Sequence, residues 1–247
     1  MASFQMYFPH ISSEWDLPSL SPDAGTVSPS VSAFYYDTFH DPLFQTLFVI
    51  GFIGFYLLEI VGCHIHSHYV PPVQRVKIQK EQFAGNVTSM FHSLMISISA
   101  IAVSVSYRTP MDAFNASPSD PVIVVYKWCI VFSFAYFIVD ALLIFMYYDQ
   151  STIKTVSFLI HHLGMASGIA SILTTHPFLA YVSAMWLIGE LSTVCLNLRI
   201  FARVWGLQWM YMVSGFGVIV SYPTLRLLWM PYVTWSIWDK GYLDHFR

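Results

Sequence analysis

Six long apolar stretches, separated by short polar segments, dominate this chain of 247 residues. They cover roughly residues 43–65, 85–107, 121–148, 154–174, 177–199 and 207–236. An α-helix needs about 20 apolar residues to cross the hydrocarbon core of a bilayer. Charged residues make up only 10% of the chain, whereas soluble domains carry about 25%. The sequence therefore predicts an all-α polytopic membrane protein, a bundle of about six transmembrane helices.

The spans divide the chain into three predicted segments. Residues 1–42 form a polar, acidic N-terminal tail, residues 43–236 form the transmembrane bundle, and residues 237–247 form a short C-terminal tail. We expect the N-terminal tail to bind another protein or to fold back on the bundle. Its apolar anchors are Trp15, Phe34, Tyr35 and Tyr36.

Basic residues are concentrated in the loops that follow the first, third and fifth spans. They are Arg75, Lys77, Lys80, Lys154, Arg199 and Arg203. Loops rich in Lys and Arg usually face the cytosol or matrix, so we expect both termini on the opposite side. The net charge of −3 and the lack of a basic stripe argue against nucleic acid as a partner.

Polar and ionisable residues recur at helical spacing within several spans. The main ones are His92 in the second span, Tyr136 and Asp140 in the third, and Glu190, Thr193 and Asn197 in the fifth. Such residues are costly in a membrane and usually face the bundle interior. Each of them alone can simply fix the packing of two helices. Together they predict one intramembrane cavity that binds membrane lipids, with His92, Tyr136, Glu190, Thr193 and Asn197 in its lining.

The fourth span carries two adjacent histidines, His161 and His162. Neighbouring helical residues point about 100° apart, so the two rings face different directions. His161 shares its face with Gly164 and Gly168, a small surface that suits close helix contact. We therefore expect His161 to meet a polar partner on a neighbouring helix, and His162 to face the cavity or lipid. An imidazole beside Asp140 or Glu190 would be a competent general base.

A second histidine cluster, CHIHSH at 63–68, ends the first span. Cys and His are zinc ligands, but histidines at a membrane boundary are the favoured interpretation. We predict no metal site and no cofactor.

Four sequence pieces resemble the TLC-domain family, which includes the ceramide synthases. In chain order they are NVTSMFHS (86–93), AYFIVDALLIFMYY (135–148), FLIHHLGM (158–165) and GELSTVCLNLR (189–199). The last piece is similar to the ELST…LNLR element of the branch that lacks ceramide synthases. The resemblance covers residues 80–205, the TLC-like core of the bundle.

In ceramide synthases the paired histidines are essential for transfer of an acyl group from acyl-CoA to a sphingoid amine. By this resemblance His161 and His162 would be catalytic, Asp140 would assist them, and acyl-CoA would be a substrate. The chain departs from the synthases at ELSTVCLNLR, where they carry a further His-Asp…Asp cluster.

Three functions therefore stay open at this point. The protein is a non-catalytic lipid-handling or lipid-binding protein, an N-acyltransferase, or a structural subunit of a larger membrane complex. The resemblance implies the endoplasmic reticulum as its location, with the mitochondrial inner membrane as the alternative.

Overall fold

The computed structural model describes residues 41–107, 112–113, 116–117, 119–147, 152–173 and 177–239. Throughout these residues the regular elements are helical, without strands. The predicted anchors of the N-terminal tail lie outside the described residues, as does the segment 240–247.

Eight helices build the described bundle. They are α1 (Pro42–Tyr69), α2 (Lys80–Ser106), α3 (Pro121–Tyr147), α4 (Ile153–Leu173), α5 (Pro177–Leu187), α6 (Leu191–Val204), α7 (Gln208–Tyr222) and α8 (Met230–Asp239). A single helical turn, Pro72–Arg75, lies between α1 and α2. The 3-10 turn Ile188–Glu190 joins α5 to α6, and the π-helical segment Pro223–Trp229 joins α7 to α8.

The prediction of an all-α membrane bundle is confirmed. Five described helical segments are long and apolar enough to cross a membrane: Pro42–Tyr69, Lys80–Ser106, Pro121–Tyr147, Ala180–Val204 and Gln208–Trp238. The fourth predicted span corresponds to α4, a helix of 21 residues that is not one of these five.

The same dipeptide, Asp-Pro, starts α1 and α3. The Asp41 carboxylate accepts a hydrogen bond from the backbone N–H of Leu43 at 2.8 Å, and Asp120 accepts one from Val122 at 2.9 Å. Aspartate satisfies a free N–H of the first helical turn, and the following proline is preset for a helical backbone. The sequence therefore fixes where these two spans begin.

Helix α2 lies at the centre of the bundle, where it packs against α1, α3, α5 and α6. The core around it consists of large apolar side chains that are almost completely buried, among them Ile96, Ile123, Tyr126 and Ile130. Helix α4 lies at the edge, because it packs chiefly against α3 and only slightly against α5. Helix α2 is thus the central helix of the bundle, and α4 is a peripheral one.

Gly62 lies at a close contact between α1 and α2, and it provides a test of this packing. A Cβ atom at Gly62 would lie 2.7 Å from Cα of Ala84, whereas one at Gly54 meets nothing within 4 Å. Both substitutions to alanine improve helix propensity equally. We expect Gly62→Ala to destabilise the protein by about 1–3 kcal/mol through overpacking, and Gly54→Ala not to. Thermal unfolding of both variants in mild detergent checks this, and equal midpoints would contradict the packing.

Candidate functional site

The shortest contact between a base and an acid within the described spans joins α4 to α3. Nδ1 of His162 lies 2.7 Å from Oδ2 of Asp140, and the two side chains are 10% and 14% exposed. The Nδ1 atom is fully buried, and the contact is not aligned as a straight hydrogen bond. In enzymes, contacts of this kind are often poorly aligned without ligand and tighten when one binds.

The α3–α4 hairpin explains why these two residues meet. Asp140 lies seven residues before the end of α3 at Tyr147, and His162 lies nine residues after the start of α4 at Ile153. At a rise of about 1.5 Å per residue, both are at a similar depth from the connection between the helices. Packing of α4 on α3 therefore brings the imidazole to the carboxylate.

The polar partner expected for His161 on a neighbouring helix is not found among the described residues, and His162 has such a partner instead. His161 is exposed, and within the described part of the chain it forms no hydrogen bond or ion pair. Its neighbours Gly164 and Gly168 face open space, where an added Cβ would meet nothing within 4 Å. The helix instead packs through the face of His162 and Ala166, both of which are buried. The polar partner expected for His161 is therefore the partner of His162.

His92 approaches the same region from the centre of the bundle. Its ring stacks on Tyr136 with a centroid distance of 4.1 Å and an interplanar angle of 13°, and lies 5.1 Å from Phe137. The His162 ring lies 5.4 Å from Phe137 and 6.2 Å from Tyr136. Two histidines from different helices thus contact the same two adjacent rings of α3.

A separate ion pair links Glu190 to the last span. Nη2 of Arg226 donates to Oε1 of Glu190 at 2.8 Å and to Oγ1 of Thr193 at 3.0 Å, while Nε donates to Oγ of Ser192 at 3.1 Å. Arg226 lies in the π-helical segment that begins at Pro223. The sequence reasoning above missed Arg226, although a lone arginine within an apolar span is itself a signal of a buried partner.

The other two polar residues predicted on the fifth span have different partners, Ser89 of α2 for Asn197 and Glu190 for Thr193. Nδ2 of Asn197 donates to Oγ of Ser89 at 3.1 Å, and Thr193 donates to Oε2 of Glu190 at 2.9 Å. Oγ of Ser93, the residue next to His92, lies 3.4 Å from the same Oε2 atom. Glu190 and Asn197 therefore contact α2, and Thr193 contacts Glu190 and Arg226.

The first span contributes one more acidic group. Glu59 is 7% exposed and accepts a hydrogen bond from Oγ1 of Thr88 at 2.9 Å. One turn earlier, Phe55 contacts Tyr136 and His92. Residues from α1, α2, α3 and α4 thus meet around Tyr136. A cavity that encloses all the predicted polar residues stays a prediction.

The chemistry of this arrangement depends on His162. A carboxylate at Nδ1 favours the tautomer with its proton on Nδ1, which leaves Nε2 as an acceptor. That nitrogen can take a proton from a hydroxyl or amine, and the carboxylate stabilises the imidazolium that forms. Glu190 cannot serve His162 in this way, because its carboxylate is engaged by Arg226.

The histidines of the CHIHSH segment contact groups of the protein itself. The His66 ring nitrogen Nε2 lies 3.0 Å from the carbonyl oxygen of Ile78, and the His64 and His68 rings stack 4.1 Å apart. No group of three or more candidate metal ligands occurs among the residues that the structure describes.

Comparison with known protein families identifies the family of this chain. A family model described as TLC domain matches residues 82–247, more than half of the chain. No curated protein and no solved structure matches. The matched region contains His92, Asp140, His162 and Glu190, and it extends through the last span with Arg226. The chain is therefore a membrane protein of the TLC-domain family.

Proposed function

We propose that this protein handles a membrane lipid whose polar group reaches Nε2 of His162. The observation that carries this proposal is the buried 2.7 Å contact between His162 and Asp140. His162 lies on α4, the helix at the edge of the bundle, and its neighbour His161 is exposed. The lipid-related character of the TLC-domain family supports the same interpretation.

The position of α4 provides a route for such a lipid. The face with His161, Gly164 and Gly168 is open, and exposed apolar side chains such as Ile160 and Leu163 surround it. Acyl chains can lie along this apolar surface without leaving hydrocarbon. The polar end of the same lipid then has only to reach from the face of α4 that carries His161 to the adjacent face that carries His162.

Lipid retention tests the proposal. The full chain is purified in mild detergent, and bound lipids are identified by native mass spectrometry for wild type, His162→Phe and His64→Phe, a control at an exposed histidine of α1. We expect wild type and His64→Phe to retain a lipid that His162→Phe loses. Because His162→Phe leaves Asp140 unpaired, the double variant Asp140→Leu/His162→Phe serves as the folding control. Identical lipids in all four proteins would contradict the proposal.

Acyl transfer is a second candidate function, and the orientation of His162 favours it. With Asp140 at Nδ1, Nε2 has no hydrogen-bond partner among the described residues. A lipid amine or hydroxyl would attack the acyl-CoA carbonyl, forming a C–N or C–O bond while the C–S bond breaks. His162 would take the proton of the nucleophile and pass it to the departing thiolate.

The place of the protein in the cell is part of the same proposal. We expect the endoplasmic reticulum, with the mitochondrial inner membrane as the alternative. Copurification of stoichiometric proteins without lipid would instead favour a structural subunit of a membrane complex, contacted through the N-terminal tail.

A further inference from the structure

His92 carries a ring nitrogen that is buried without a partner. The residue is 1% exposed, and its Nε2 atom has no hydrogen-bond partner in the described part of the chain. A buried polar atom without a partner is destabilising, and a phenylalanine would fill the same space without that penalty. The nitrogen is therefore free to form a hydrogen bond with the polar group of a bound molecule.

The surroundings of His92 restrict what that group can be. The stack on Tyr136 holds the ring in one plane, and Phe55 and Phe137 pack against it. A buried water molecule usually needs two to four polar partners, and these largely aromatic neighbours offer few. A polar group carried by an apolar molecule suits the position better, because its apolar part can contact the same rings.

The charges nearby restrict the group further. Asp140 lies against His162, and Glu190 is paired with Arg226. Neither carboxylate is left to hold a cationic ligand, and an anionic ligand would be repelled by both carboxylates. The ligand group is therefore neutral at this point.

Hydrogen-bond direction then selects its chemistry. Asp140 favours the tautomer that leaves Nε2 of His162 as an acceptor, so the ligand must donate to it. His92 contacts the same Tyr136 and Phe137 rings, and its Nε2–H can donate. A hydroxyl both donates one hydrogen bond and accepts another. We propose that the site binds a neutral lipid through a free hydroxyl held between His162 and His92. This inference rests on the proposed function at His162.

A matched pair of photoactivatable lipids tests it. The full chain in phosphatidylcholine nanodiscs is labelled with a diazirine-bearing diacylglycerol, or with the same lipid methylated on its hydroxyl. We expect the free hydroxyl to label wild type about tenfold more strongly, the effect of one desolvated hydrogen bond. His92→Phe should lose this preference, and His92→Gln, which keeps a side-chain donor, should keep part of it. Ser97→Ala is the control, because Oγ of Ser97 is also buried and unpartnered on α2.

The outcomes separate the inference from the proposed function. Equal labelling of wild type by the two probes overturns the hydroxyl inference alone, and this comparison needs no variant to fold. A preference that survives in folded His92→Phe overturns the role of His92. If neither probe labels wild type more than His162→Phe, the proposed function fails as well.

Discussion

Arg226→Leu is expected to destabilise the protein by about 3–5 kcal/mol. The substitution leaves Glu190 buried without its cation, and breaking a buried ion pair from one side is far more costly than removing both charges. Glu190 is 14% exposed at its side chain, and Arg226 also donates to Ser192 and Thr193. Few single substitutions in the membrane should have a larger effect on stability.

The double variant Glu190→Leu/Arg226→Leu should recover most of that stability, because neither member of the ion pair is then left without its partner. Arg203→Leu, at an exposed position on α6, is the matched control and should change stability little. Unfolding of the four purified proteins in mild detergent measures the differences. If the double variant is as unstable as Arg226→Leu, Glu190 is not the group that Arg226 neutralises.

Asp140→Asn is expected to lower acyl transfer by about 10²–10⁴-fold, if transfer is the activity, because an amide neither fixes the tautomer of His162 nor stabilises its charged form. The assay follows transfer from acyl-CoA to a lipid amine or alcohol by the protein in nanodiscs. His161→Ala, at the exposed neighbour, should retain most of the activity. An active Asp140→Asn protein would show that the carboxylate does not serve the base, and an inactive wild type would leave lipid binding as the function.

The all-α membrane bundle was predictable because apolar length and helical spacing are local properties of the sequence. The burial of His92 and Asn197 was predictable for the same reason, since polar residues in a span face the interior. The pairing of Glu190 with Arg226 was not predictable from the sequence. Arg226 lies within the long apolar stretch 207–236, where the surrounding hydrophobicity conceals a single charge.

The two adjacent histidines show a different limit. Helical geometry correctly separates His161 and His162 by about 100°, but does not say which face meets another helix. The glycines beside His161 suggested a contact, whereas α4 lies at the bundle edge and packs through His162. Whether a helix lies at the edge or at the centre of the bundle depends on how all the spans assemble. The sequence of α4 alone does not determine this position.

Nitrogen-15 NMR of histidine-labelled protein in nanodiscs measures most directly whether His162 engages a lipid. On addition of the free-hydroxyl diacylglycerol, we expect the Nε2 resonance of His162 to move to a hydrogen-bonded position. The resonances of His64, which stacks on His68 at the end of α1, should not move. Asp140→Asn should change the His162 tautomer before any lipid is added. A His162 resonance that stays unchanged at saturating lipid, and is unaffected by Asp140→Asn, would contradict a lipid site at this pair.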